Sequence, residues 1–215
     1  MKTVIDIEDL KRMINGAIAQ IRAQHAYLSS LDAAIGDGDH GTTILRGMNN
    51  LANVLETTSA SDLKSLLSEL GWSFLGVDGG ASGPLLGSFL LGMSEAVGEQ
   101  MTLDCRAFAA MFAGGLASIQ QQTRAKAGDK TLLDALIPAV EALHNAAAAG
   151  DSILTALQSA VNAAEAGAFA TKELQARMGR AKNLRERAIG HQDPGATSIA
   201  LIFRGFLEGL SQPPQ

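Results

Sequence analysis

Apolar residues recur every three or four positions along most of the 215-residue chain, the spacing of amphipathic α-helices. The clearest case lies within residues 6 to 28. Its apolar face contains Leu10, Met13, Ile14, Ala17, Ile18, Ile21 and Leu28. The same criterion predicts seven further helices, over about 42–55, 63–74, 84–97, 102–119, 131–148, 151–178 and 196–210. With no convincing strand, the pattern predicts an all-α fold, a bundle or barrel of about eight antiparallel amphipathic helices.

Several helix boundaries carry local signals. Ser59 with Asp62 resembles a cap for the third helix, and Thr102 is expected to open the fifth. Pro84 suits the first turn of the fourth helix, with Ser82 or Gly83 as its cap. Pro138 should kink the sixth helix or lie near its first turns.

Composition agrees with helix and limits the classes of function. Hydrophobic residues make up 47% and aromatic residues only 4%, and the length fits a single domain over 1–215. A net charge of −5 argues against a general nucleic-acid binder. The single Cys105 fits a reducing compartment, and the N-terminus lacks the apolar run of a signal peptide. We therefore expect a cytoplasmic protein with no membrane span.

The most informative stretch is LDAAIGDGDHGTT, residues 31 to 43. Its three carboxylates, Asp32, Asp37 and Asp39, are separated by glycines, and no basic residue within the stretch neutralises them. Clustered carboxylates resist ionisation unless a cation lies among them. Oxygen ligands favour Mg²⁺ or Ca²⁺ over zinc. The stretch therefore predicts a divalent-cation site, against the simpler interpretation of a surface loop that caps helices.

Other motifs exclude some readings of this loop. Gly36 to Gly41 matches GxGxxG, but it follows a helical pattern instead of a strand, so a dinucleotide fold is rejected. An EF-hand counted from Asp37 would need an acid at position 48, which is Met48. The remaining interpretation is Mg²⁺ held between carboxylates and phosphate oxygens, with three acids able to serve two ions.

Three other segments offer phosphate contacts. The segment GGASGP places backbone N–H groups and the Ser82 hydroxyl before a helix, and Thr42 with Thr43 lies at another helix start. In an up-and-down arrangement the loops 32–43 and 76–84 share one end. Six basic residues between 172 and 187 suit phosphates or an acidic partner, although a solvated helix end explains each of them equally well.

Five motifs in order resemble those of the nucleotide-binding subunit family of dihydroxyacetone kinases, the DhaL family. They are IGDGDHGTT (35 to 43), GGASGPLLG (79 to 87), AGDKTLLDAL (127 to 136), GRAKNLRERAIG (179 to 190) and HQDPGATS (191 to 198). The resemblance covers essentially the whole chain and implies a barrel of about eight antiparallel helices that binds nucleotide at one end.

By motif match, the resemblance implies that Asp32, Asp37 and Asp39 ligate two Mg²⁺ ions. It implies that the phosphates of ADP or ATP are surrounded by His40, Gly41, Thr42, Thr43, Ala81 and Ser82. It places Leu132 by the adenine, with Thr123, Arg180, Asp193, Pro194 and Gly195 completing the nucleotide site. No covalent nucleophile is expected on this chain.

The resemblance also implies partners. In one branch of the family, bound ADP is rephosphorylated by a DhaM-type phosphotransferase subunit, and the phosphoryl group passes to dihydroxyacetone, or a related triose or tetrose, on a DhaK-type subunit. In the other branch ATP exchanges freely. The stand-alone length favours the first branch, whereas the Thr42–Thr43 pair resembles ATP-dependent members. A fatty-acid kinase subunit, a nucleotide-sensing adaptor for a transcription regulator, and a homodimer remain alternatives.

Overall fold

The computed structural model describes residues 2–212, and most of these are helical. The eight α-helices are α1 (Ile7–Ile35), α2 (His40–Thr57), α3 (Leu63–Leu75), α4 (Ser82–Val97), α5 (Cys105–Gln122), α6 (Leu133–Ala149), α7 (Ile153–Ala170) and α8 (Pro194–Ser211). Two 3₁₀-helical segments, Thr171–Glu173 and Arg180–Ala188, lie between α7 and α8. Two short strands, β1 (Val4–Ile5) and β2 (Leu103–Asp104), pair antiparallel. The predicted all-α class is confirmed.

The helices form a closed ring. Each helix packs against the next along the chain, and α8 returns to pack extensively against α1. This last contact is close because glycines line it. A Cβ atom on Gly16 would lie 2.0 Å from the carbonyl oxygen of Gly205, so the two backbones touch where any side chain would separate them. The arrangement is therefore a helical barrel.

Aromatic rings contribute to the filling of the barrel. The Phe112 ring is the hub, with centroid distances of 5.0 Å to Phe108, 5.3 Å to Phe203, 5.9 Å to Phe206 and 6.0 Å to Phe89. Most of these pairs meet edge-on or tilted, as the ring quadrupoles favour. Because α4, α5 and α8 each supply a ring, this cluster ties distant parts of the sequence together.

Helix direction decides where a site can form. Consecutive helices run in opposite directions, so α2, α4, α6 and α8 all begin at the same end of the barrel. Helix N-termini present unpaired N–H groups and the positive end of the helix dipole. The predicted common end for the loops 32–43 and 76–84 is confirmed, since His40 and Ser82 side chains meet there.

Some predicted boundaries were wrong. The N-cap of α3 is Asp62, which accepts from the Ser65 N–H at 2.8 Å, and Ser59 is not the cap. The α4 cap is Ala81, so Ser82 begins that helix. The fifth helix is capped by Asp104, whose carboxylate accepts from Ala107 N–H, and not opened by Thr102. In each case, proximity of a polar residue to the helix suggested the wrong position.

The largest error concerns residues 151–178, which were predicted as one long helix. The α-helix ends at Ala170, a 3₁₀ turn follows, and the chain then leaves the helical path. Alanine-rich composition supports helix but specifies no end, and here tertiary hydrogen bonds to the following segment compete with it. This early end frees a long segment that later covers one side of the site.

Pro138 lies inside α6, in its second turn, as one of the two predicted alternatives. Its nitrogen cannot donate to the Asp134 carbonyl, and the Cα of Gly167 on α7 closely approaches that oxygen instead. Within residues 2–212, none of the helices combines the length and hydropathy that crossing a bilayer requires.

Candidate functional site

A cleft of about 250 Å³ opens at the end of the barrel where the even-numbered helices begin. Twelve of the fifteen predicted site residues line it. These are Asp32, Asp39, His40, Thr43, Ala81, Ser82, Thr123, Leu132, Arg180, Asp193, Pro194 and Gly195. Asp37, Gly41 and Thr42 do not line the cleft. The structure therefore brings together residues that are separated by as many as 163 positions in the sequence.

The three predicted metal ligands converge. One oxygen of each of Asp32, Asp37 and Asp39 lies within 4.8 Å of the others. Asp32 belongs to the last turn of α1, and its Oδ2 accepts the His40 N–H at 3.1 Å. Asp39 occupies the cap position of α2 but makes no side-chain capping bond, and its carboxylate instead accepts from Arg180. The turn between α1 and α2 therefore gathers the carboxylates.

Arg180 changes the electrostatics inferred from the sequence. The stretch 31–43 holds no basic residue, but the fold brings the Arg180 guanidinium to the cluster. Its Nη1 donates to Asp37 at 2.5 Å and to Asp39 at 3.2 Å. The side chains of Arg180, Asp37 and Asp39 are each about half exposed, and solvent weakens ion pairs at such exposure. A positive group thus occupies the position that the carboxylates create for a cation.

This donor set fits Mg²⁺. Three carboxylates supply hard oxygen ligands, and Mg²⁺ commonly takes one or two protein carboxylates while phosphate and water complete its shell. The described residues contain no His or Cys in the cluster, which disfavours zinc. The residues that would hold the ion are therefore Asp32, Asp37 and Asp39.

Two helix N-termini flank the carboxylates. The first intrahelical bond of α2 runs from Thr43 N–H to Asp39, and that of α4 from Leu85 N–H to Ala81. The N–H groups of Gly41 and Thr42 are consequently first-turn donors without a helical acceptor. Gly41 has no side chain and is buried against α1, and the side chain of Thr42 is exposed to solvent. A contribution of either residue to a phosphate site would come from the backbone.

His40 links the two helix starts. Its Nε2 lies 2.8 Å from Ser198 Oγ, and its Nδ1 lies 3.3 Å from Ser82 Oγ. Because the Ser198 hydroxyl donates to the Pro194 carbonyl at 3.0 Å, the proton between His40 and Ser198 belongs to Nε2. Nδ1 then accepts from Ser82. Burial lowers the pKa of His40, and the charges of Asp32 and Asp39 oppose that shift, so the neutral ring is favoured near pH 7.

The Thr43 side chain is turned away from solvent and helps to hold the neighbouring loop. It is buried, and its Oγ1 accepts from Arg46, which also donates to the Asp78 carbonyl at 2.8 Å. Gly79 has φ +121°, and a Cβ there would lie 2.7 Å from Thr43 Oγ1. Only glycine allows this loop to lie so close to α2.

The opposite side of the cleft is more apolar and holds a buried acid. Leu132 and Pro194 lie at the starts of α6 and α8. Asp193 caps α8 by accepting the Ala196 N–H at 2.7 Å, and its own N–H donates to Thr171 Oγ1 at 2.9 Å. Burial raises the pKa of Asp193 to about 7. This carboxyl therefore changes charge near neutral pH.

Most of the predicted basic cluster lies away from the cleft. Among the six basic residues of 172–187, only Arg180 lines it. Lys172 lies 4.3 Å above the Phe169 ring, and Arg177 approaches Asp129 at 4.0 Å. Lys182, Arg185 and Arg187 are exposed. The structure therefore brings one of the six basic residues to the cleft and leaves the other five outside it.

Sequence reasoning did not nominate several residues at or behind the cleft, and four of these bear on the site. Lys130, Thr131 and Met178 line it, and Ser198 holds His40. Lys130 and Thr131 lie inside the recognised AGDKT motif, so the motif itself could have nominated them. Ser198 likewise ends the HQDPGATS motif, whereas Met178 carries no local signal, because only tertiary packing brings it to the site.

Comparison with known proteins agrees with this geometry. Residues 34–208 match the family model described as the DAK2 domain. The chain is 38% identical over 197 residues to the ADP-binding subunit DhaL of PEP-dependent dihydroxyacetone kinase 1 from Listeria innocua, covering 92% of this chain and 93% of that one. It is also 38% identical to the corresponding Escherichia coli K12 subunit, covering 83% and 85%.

A solved structure shows the same fold. The crystal structure of the dihydroxyacetone kinase from C. freundii in complex with AMP-PNP and Mg²⁺ matches with a TM-score of 0.73 and 26% identity. The match covers 97% of this chain and 35% of that chain. Taken with the near full-length match to DhaL subunits, these findings show that the chain belongs to the DhaL/DAK2 family of dihydroxyacetone kinase subunits and domains.

Proposed function

We propose that this protein is the nucleotide-binding, phosphoryl-transferring subunit of a multisubunit dihydroxyacetone kinase. In this proposal Mg²⁺-bound ADP or ATP occupies the cleft, and the terminal phosphoryl group passes to dihydroxyacetone, or a related triose or tetrose, on a DhaK-type partner. The observation that carries the proposal is the convergence of three carboxylates within 4.8 Å beside two helix N-termini.

The arrangement suits a nucleotide polyphosphate. Asp32, Asp37 and Asp39 would hold two Mg²⁺ ions, which supply charge neutralisation to the transferring group when bound. The free N–H groups at the starts of α2 and α4 would receive phosphate oxygens. The Ser82 hydroxyl lies at the start of α4 and is oriented by its hydrogen bond to His40. No covalent nucleophile on this chain is required by the proposal.

The other side of the cleft suits a nucleobase. Leu132, Pro194 and Gly195 present apolar or small surfaces, and Asp193 is the nearby buried polar group. An apolar slot with a few polar groups is the common form of small-molecule sites. Base stacking there with phosphates at the carboxylates would orient the nucleotide along the cleft.

For the phosphate source we propose bound ADP that is rephosphorylated by a DhaM-type subunit. The support is the near full-length match to two separate subunits that are named PEP-dependent and ADP-binding. The second candidate is exchange with free ATP. It is favoured by the structural match to a kinase solved with AMP-PNP and Mg²⁺, and by the Thr42–Thr43 pair.

Two measurements test the proposal. Mass spectrometry of ligand released after extensive dialysis should detect ADP if the nucleotide stays bound, and an empty site would favour ATP exchange. Phosphoryl transfer is then measured as triose phosphate formed with a DhaK-type subunit, supplied either with ATP or with a DhaM-type subunit and its phosphate source. Absence of product with both donors, together with absence of Mg²⁺-dependent ADP binding, would contradict the proposed function.

A further inference from the structure

A lysine is buried behind the cleft in an unusual position. Lys130 is only 2% exposed, and its backbone has φ +61°, a left-handed conformation rare for residues other than glycine. Such a conformation persists only where the surroundings require it. The interactions of the Lys130 side chain must therefore offset both the cost of burying its charge and the strain of its backbone.

Its ammonium is surrounded by backbone carbonyl groups. Nζ lies within hydrogen-bond distance of four carbonyl oxygens, those of Thr171 at 2.7 Å, Ala188 at 2.8 Å, His191 at 2.5 Å and Leu174 at 3.2 Å. An ammonium has three N–H groups, so the longest contact, to Leu174, shares a donor with a shorter one. A neutral amine has two N–H groups and a lone pair, which would face one of these oxygens unfavourably. The four-carbonyl cage therefore selects the charged form, in spite of burial that lowers the pKa of Lys130.

These carbonyl groups belong to the two ends of one loop. We call residues 171–191 the basic loop. Its ends also meet directly, through the Gly190 N–H and the Lys172 carbonyl at 2.7 Å. Thr171 and Leu174 lie at its beginning, and Ala188 and His191 lie at its end. The ammonium of Lys130 therefore closes the base of the loop on both sides.

Few other interactions hold the basic loop. Its apolar contacts form a small cluster that is separate from the main core. That cluster consists of Ile35, Ala176 and Ala188, with Ala181 and Leu184 packed against it. Arg177 N–H also donates to the Asp129 carbonyl at 3.1 Å. With so little apolar surface, charge-assisted hydrogen bonds must supply a large share of the loop's order.

The basic loop lines part of the cleft. Met178, Gly179, Arg180 and Ala181 line the cavity, and Arg180 contacts the carboxylate cluster. We propose that Lys130 is a positioning residue whose buried ammonium fastens both ends of the basic loop and so holds Arg180 and its neighbours over the cleft. Its consequence for nucleotide binding rests on the proposed function, whereas its effect on loop order does not.

Hydrogen–deuterium exchange of wild type and Lys130→Met tests the fastening without any nucleotide. Methionine keeps the apolar stem and removes the charge. We expect amides of the basic loop to exchange at least about tenfold faster, while α1 and α5 keep wild-type rates. Lys126→Met removes the charge of an exposed lysine in the same segment. As the matched control, it should leave amide exchange in the basic loop unchanged. Wild-type exchange in Lys130→Met would overturn the proposal.

Chemical rescue separates charge from packing. Lys130→Ala removes the equivalent of propylammonium, so added n-propylammonium should refill the cage and restore slow exchange in the basic loop. The uncharged 1-propanol, at equal concentration, should not. Equal rescue by both compounds would show that packing alone is needed and would overturn the role of the ammonium. Circular dichroism and thermal unfolding establish that the variants are folded.

The consequence for binding is measured last. Calorimetric titration with Mg²⁺–ADP should show affinity about tenfold weaker in Lys130→Met, and recovered in Lys130→Ala with propylammonium. Unchanged affinity beside a loosened loop would overturn the positioning role. If wild-type protein itself fails to bind Mg²⁺–ADP, the proposed function fails, while the exchange experiments still decide whether Lys130 fastens the loop.

Discussion

The two sides of the cleft are built in different ways. On one side, Asp32, Asp39, His40 and Ser82 lie at helix ends, and the barrel core holds those helices in place. On the other side, the basic loop carries Arg180 on a 3₁₀-helical path that is broken at Arg185. The first side depends on helix packing, and the second on a small apolar cluster and one lysine.

Under the proposed function, this difference separates two tasks. Groups that bind an ion must stay at fixed distances, and rigid helix ends serve that purpose. A covering segment must admit and release a ligand, and such segments are drawn from the less stable parts of a protein. We therefore expect substitutions on the helical side to act on ion binding or global stability. Substitutions in the basic loop should act on local order.

The largest effect is expected for the carboxylates. Asp37→Ala should reduce phosphoryl transfer with saturating partner and Mg²⁺ by about a thousandfold, because one ligand to the ion is lost. The fold should remain, since Asp37 is exposed and its ion pair with Arg180 is also largely exposed to solvent. Rates of triose phosphate formation measure the effect, with the exposed Asp151→Ala as control. Full turnover in Asp37→Ala would contradict the metal assignment.

Asp193 caps α8 at the cleft, and its effect on stability depends on pH. Its pKa is about 7 in the folded protein and about 3.9 in the unfolded chain. The folded state holds the proton more tightly, so this stabilisation is present below about pH 4 and is lost as pH rises through 7. The change is at most about 4 kcal/mol.

Asp193→Asn should remove this dependence. Asparagine is an equally good helix cap and does not ionise. Urea unfolding from pH 4 to 8 should therefore show wild type losing stability relative to the variant as pH rises. Parallel pH profiles for the two proteins would show that Asp193 does not titrate in this window.

Two glycine substitutions compare the sides directly. A Cβ on Gly41 would lie 2.0 Å from the His25 carbonyl oxygen, so Gly41→Ala must separate α2 from α1. We expect a loss of about 3 kcal/mol in the free energy of unfolding. Gly179→Ala meets no atom within 4 Å and costs only the strain of φ +62° with ψ −164°, a region open essentially to glycine, about 1–3 kcal/mol and confined to the basic loop. If both variants lost the same free energy of global unfolding in urea, the distinction between the two sides of the cleft would fail.

The smallest effect concerns Arg180 in the absence of Mg²⁺. Arg180→Gln should lower the free energy of unfolding by less than about 1 kcal/mol, because its ion pairs are exposed. Added Mg²⁺ should restore the loss by replacing the positive charge, and thermal unfolding with and without Mg²⁺ measures both steps. Arg187→Gln, at an exposed position of the same loop, should show neither the loss in the free energy of unfolding nor its restoration by Mg²⁺. A loss that Mg²⁺ does not restore would argue against a shared position for the guanidinium and the ion.

Much of the site could be predicted because its motifs lie next to helix starts. The carboxylates of 32–39 and the segment GGASGP are each local in sequence, and alternating helix directions bring them to one end. Arg180 was named from the resemblance, but its contact with Asp37 and Asp39 could not be foreseen, since 141 residues separate Arg180 from Asp39. The buried states of Lys130 and Asp193 likewise depend on neighbours from several segments.

The sequence by itself determined the helical class, the number of helices and the identity of the clustered acids, because apolar periodicity and local charge are properties of neighbouring residues. Tertiary structure alone decided that α7 stops at Ala170, that α8 closes the ring on α1, and that Lys130 lies within four carbonyl groups. These features arise from contacts between residues far apart in the chain, where competition between local helix formation and long-range hydrogen bonding is settled only by the complete fold.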